Sequence, residues 1–162
     1  MIADELLAVA QDLAFIRETE GLNRGRWVAW LQEFCHGRPG DPWCCDFESF
    51  VEHVAYHGHP PTKRTGACQE KLDDCRRLNF MISAPTIGCL VFTLTASGHA
   101  IHIGIVTDLH PLTAIAGNTS EDGLSINGDG VHTHPVRTHP SRLAFAQLPE
   151  ETTASSAHVA QP

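Results

Sequence analysis

Cys44, His102 and Asn118 are the residues whose types and placement could carry acyl transfer. A cysteine nucleophile needs a histidine base, and the base needs a third group to fix its tautomer and ring orientation. Cys44 follows Asp41 and Pro42, which read as the N-cap and first residue of a helix. The free amides and the positive end of the dipole at a helix start favour an anion there. A thiol in that place is expected to have a lowered pKa, and the same amides can hold an oxyanion. Cys45 sits about 100° further round the helix, so only one of the two thiols faces a given cleft. Cys44 is the better candidate, because nothing after Cys45 fixes its orientation.

His102 opens the run HIGIV, in which Ile101, Ile103 and Ile105 alternate with His102, Gly104 and Val106. The isoleucines mark one buried face and His102 lies on the other. A turn at 109–111 reverses the chain, and a hairpin symmetric about His110 pairs Val106 with Ala114, Gly104 with Ala116 and His102 with Asn118. His99 is a competing base, ranked lower because SGHA reads as loop. Each residue also has a bland reading. The cysteines are core packing, His102 is a core histidine, and Asn118 is turn chemistry in GNTS. Singly those readings are favoured; the joint spacing favours function. Trp43 and Trp27 are candidates for lining the cleft, although tryptophan is more often core.

Apolar residues recur at helical spacing over 2–17 and from Trp27 to Phe34. A third helix is expected from Pro42, with Phe47, Phe50, Val51 and Val54 as its stripe, and a fourth over roughly Ala67 to Leu78. From residue 85 the pattern changes to short apolar runs and period 2. Strands are expected over 88–94, 102–108 and 112–118, a turn and strand within 127–137, and a last strand or turn over 142–148. Residues 149–162 are low in large apolar types and are expected to be a disordered tail. Helices first and an antiparallel meander after make an α+β fold, with one domain over 1–148.

The chain has 162 residues and a formal net charge of -8 with its eleven histidines neutral. That charge argues against nucleic acid as a partner. No run approaches a membrane span, and no signal peptide is read at the N-terminus. A monomer is expected, cytoplasmic as synthesised. The six cysteines have no CxxC pair, so reduced thiols are the default.

PWCCDF (42–47), HIGIV (102–106) and AGNTS (116–120) resemble the blocks of bacterial and phage CHAP-type amidohydrolase/peptidase domains, of the papain-like NlpC superclass found in phage endolysins. ETEGLNRGRWV (18–28) resembles that family's lead-in, and GCLVF (88–92) its Gly-Asp-Leu-Val-Phe strand. The likeness runs in order over roughly residues 5–137. It implies N-terminal helices packed on a C-terminal antiparallel sheet, with Cys44 as nucleophile, His102 as base and Asn118 as orienting residue. It also implies bacterial peptidoglycan as the partner, one of whose amide bonds is cut after release or export; no cofactor is expected, and Trp43 is taken as the substrate-side residue of the cleft. Ala116 stands where many members carry glutamate, Cys45 where they carry a small residue, and Cys89 where they carry aspartate. The first departure bears on activity, the other two on packing.

Two other readings compete. Cys35–His36, Cys44–Cys45 and the His132–Thr133–His134 run supply zinc-type ligands, but their spacings match no common zinc module. The second is a wall-binding module of the same fold with weakened catalysis, motivated by Ala116. The histidine-dense segment 132–140 reads as an exposed strand edge.

Overall fold

The structure is a computed structural model and describes residues 1–150. The expectation of a disordered tail falls mostly on 151–162, outside the described residues. Before that point the chain is held to the body. Leu148 is buried, and the backbone N–H of Ile2 donates to a Glu150 carboxylate oxygen at 2.8 Å.

Four helices come first: α1 (Ile2–Asp12), α2 (Arg26–Phe34), α3 (Cys44–Ala55) and α4 (Cys68–Arg77). Six strands follow: β1 (Met81–Ile82), β2 (Leu90–Leu94), β3 (Ala100–Leu109), β4 (Leu112–Thr119), β5 (Gly130–Pro135) and β6 (Leu143–Ala146). They form one antiparallel sheet in the order β1-β6-β2-β3-β4-β5. The chain is therefore α+β, with helices in its N-terminal half and the sheet after them. β1 was not foreseen, because two residues give no period to read.

α3 is the central helix, packed against α1, α2, β3 and β4. Phe47 and Val51 of α3 meet Leu6 and Ala10 of α1 and Ile103, Ile105 and Ile115 of the sheet in the main core. Burying a side chain such as Phe47 or Ile103 is worth about 1.5–3 kcal/mol. Cys89, Val91, Val106 and Ala114 form a smaller cluster on the other sheet face.

Two expected boundaries move. α1 stops at Asp12, not at residue 17, because the chain beyond it joins the sheet: Ile16 O accepts from Val131 N–H at 3.1 Å, and Arg17 bridges to Gly130. α3 starts at Cys44, not at Pro42. The Asp41 carboxylate, expected to cap it, instead accepts from the backbone N–H of Arg38 at 2.9 Å and closes the preceding turn.

A buried ionic cluster ties α3 to α4. Lys71 Nζ lies 3.3 Å from both Glu48 Oε2 and Glu52 Oε2, and donates to Thr62 Oγ1 at 2.8 Å. The Thr62 hydroxyl donates in turn to Glu52. Burial disfavours the Lys71 charge, but the Glu48 and Glu52 carboxylates outweigh it and hold the Lys71 pKa up. Burial, and then Glu52, push Glu48 toward its neutral form against the pull of Lys71.

Candidate active site

The loop before α3 is fixed by the 18–25 lead-in. Trp43 donates its indole N–H to Glu18 Oε1 at 2.9 Å, and Asn23 Nδ2 donates to Gly40 O at 3.1 Å. Gln32 Nε2 donates to both Asn23 O and Asp41 O, at 3.1 and 2.7 Å. At Gly117 a Cβ would lie 2.7 Å from Phe47 Cβ and 2.8 Å from Trp43 Cζ3, so only glycine lets β4 approach the start of α3 this closely.

Cys44 is the first residue of α3, and no side chain caps that helix start. The residue is 3% exposed and lines an open cleft with Gly37, Asp46, Thr65, Cys68, His99 and Ile101. The Cys68 Sγ lies 3.5 Å from the Cys44 Sγ. That hydrogen bond is the main influence holding the Cys44 pKa below the ordinary thiol value; burial opposes it, and the His102 imidazole and the Ile103 backbone add to the lowering. The interaction pushes Cys68 the other way. Burial raises Cys35, Cys75 and Cys89. A helix start and a nearby imidazole both favour charge on Cys44, so the thiolate of the pair belongs there.

His102 is buried on β3, opposite Thr93 of β2. A register shift at Thr93/Leu94 puts Ala100 in the core and leaves Ile101 39% exposed, so strict alternation fails at that isoleucine. Ile103 and Ile105 keep the core face. His102 is near enough to act on the Cys44 charge, yet neither of its ring nitrogens has a hydrogen-bond partner among the described residues. It also lines a cavity on the far sheet face with Gly104, Ala116 and His134; the two imidazole centroids are 6.4 Å apart.

The β3–β4 ladder contains the expected Val106–Ala114 pair and continues in that register to Ile105–Ile115, where the pairs end; a shift between Val106 and Asp108 lies on the turn side. His102 and Asn118 lie beyond that end. Asn118 is buried with φ 54, its Nδ2 donates to Asn127 Oδ1 at 3.3 Å, and its Oδ1 has no partner. Cys44 and His102 are therefore brought together, whereas Asn118 makes no hydrogen bond to the imidazole.

Trp43 is fully buried against the core and spends its N–H on Glu18, so it supports the loop and offers no surface to a substrate. Trp27 is partly exposed, in an aromatic group with Phe15 and Trp30. Cys89 packs in the smaller core cluster. The candidate zinc ligands are dispersed: His36 contacts Arg64, His132 contacts Asp129, and His134 contacts the Pro135 carbonyl. Among the described residues no group of three or more such side chains could hold a metal ion. Among those residues no helix is long and apolar enough to cross a membrane.

Two residues of the cleft were not singled out from sequence. Cys68 is the first residue of α4, and the helix-start reasoning applied to Cys44 points to it as well. Asp46, buried two residues after Cys44, has its carboxyl pushed up to about 7 by burial, with Cys44 adding to the effect. No protein-family model matches this chain, and no curated protein matches it either.

Proposed function

We propose that this chain is a cysteine amidohydrolase of the papain-like CHAP type, acting on an amide bond of bacterial peptidoglycan. The observation that carries the chemistry is the buried, uncapped helix start that presents Cys44 to an open cleft with His102 acting on its charge. The substrate class rests on the ordered resemblance of the 18–28, 42–47, 88–92, 102–106 and 116–120 blocks.

In this mechanism the Cys44 thiolate attacks the amide carbonyl carbon. The first amides of α3 stabilise the oxyanion, as a helix start can. The protonated His102 gives its proton to the leaving amine, and the C–N bond breaks. Water, deprotonated by His102, then attacks the thioester and releases Cys44. Wild-type protein should solubilise purified cell wall, and Cys44→Ala should lose that release while keeping its fold.

One observation favours a second reading. His102 has no hydrogen-bonded orienting group, and Ala116 supplies no carboxylate beside it. A wall-binding module with weakened turnover would sediment with peptidoglycan and release no fragments.

A further inference from the structure

Cys44 and Cys68 are the first residues of two different helices, and both helix starts lack a side-chain cap. Two helix dipoles thus converge on one pair of sulfurs 3.5 Å apart. Both residues are buried yet line the same open cleft, the side from which a small oxidant would approach. A disulfide needs the sulfurs at about 2.0 Å, so closing the pair takes a movement of roughly 1.5 Å. The helices that carry them are tied to each other and to the sheet. Lys71 links α4 to Glu48 and Glu52 of α3, and Gln69 Oε1 accepts from Ala100 N–H of β3 at 2.7 Å. The pair is preset by the fold, and the hydrolytic chemistry above uses only one of its members.

We propose that Cys44 and Cys68 form a peroxide-sensitive dithiol, in which Cys68 is the resolving thiol that converts oxidised Cys44 to a disulfide. The Cys44 thiolate attacks one oxygen of a hydroperoxide and the O–O bond breaks. The departing alkoxide or hydroxide takes a proton and leaves as alcohol or water, and Cys44 becomes a sulfenic acid. The Cys68 sulfur then attacks the sulfenic sulfur. An S–S bond forms, and the sulfenic oxygen leaves as water with the Cys68 proton. In sum two thiols and one hydroperoxide give one disulfide, one alcohol or water, and one water. The two electrons lost by the sulfurs reduce the peroxide. A low-molecular-weight dithiol reverses the bond. Formation of the disulfide does not depend on the hydrolase reading; silencing of turnover by it does.

The test treats the reduced full chain with hydrogen peroxide, blocks remaining thiols by alkylation, and maps the digest by mass spectrometry. Fragmentation between Cys44 and Cys45 assigns the sulfur. The expected result is a Cys44–Cys68 linked peptide with the other four cysteines alkylated, fully reversed by dithiothreitol. In Cys68→Ser, or in Cys68→Ala should the serine disturb folding, Cys44 should run on to sulfinic and sulfonic acid that dithiothreitol does not restore. Wild-type Cys44 that overoxidises as readily as in the Cys68 variants, or that links to a different cysteine, overturns the proposal. A reversible linked peptide in a protein that releases nothing from cell wall when reduced would sink the hydrolase reading alone.

Discussion

The ammonium of Lys71 on α4 sits 3.3 Å from a carboxylate oxygen of Glu52 on α3, and neither side chain reaches solvent. Removing one partner of such a pair strands a buried charge, which costs about 3–5 kcal/mol. Lys71→Met should therefore lower the unfolding free energy by about that amount in a urea titration. The same pair sets how α4 lies against α3, so the variant should also loosen the spacing of Cys44 and Cys68. Unchanged stability would mean the cluster is not formed.

The thiol of Cys44 should react with iodoacetamide at lower pH than the other cysteines. Its pKa is held down by Cys68 first and His102 next, so thiolate persists at pH values where ordinary thiols are protonated. Competitive alkylation read by mass spectrometry across pH 5–9 measures this. Cys68→Ala and His102→Ala should each move the Cys44 profile to higher pH. His102→Ala should also reduce turnover by about 10²–10⁴, the usual scale of a lost general base.

Asp46 should give stability an unusual slope. Its carboxyl titrates at about 7 in the fold against an ordinary value of 3.8. Between those values the folded chain binds the proton more tightly than the unfolded chain. The contribution is fully present below about 4, is lost as pH rises toward 7, and then stays level. Asp46→Asn has no such proton to lose, so it should gain on the wild type through that window. Denaturation midpoints at pH 4, 5.5, 7 and 8 check the trend.

The readable parts of the chain were those with a strong period or a local cap. Three of the four helices and the α+β order followed from apolar spacing, and Cys44 from a helix start marked by proline. Asp41 looked like the cap of α3 but was already committed to Arg38. Ile16 and Arg17 kept helical spacing but were drawn to Gly130 and Val131, a long-range competition that no local window contains. The link between His102 and Asn118 was extrapolated along a regular hairpin. The expected register holds at Val106–Ala114 and Ile105–Ile115, but the pairing stops there and Asn118 takes a positive φ. Cys68 was missed because its meaning depends on α4 arriving beside α3, 24 residues from its partner in sequence.

The most direct test of Cys44 as the nucleophile of a wall amidohydrolase is mass analysis of purified peptidoglycan after digestion. Wild-type reduced protein should release fragments carrying one new amine and one new carboxylate at a single type of amide bond. Cys44→Ala, equally folded, should release none. Fragment release by Cys44→Ala at the wild-type rate, or products cut only at glycosidic bonds, would contradict the assignment.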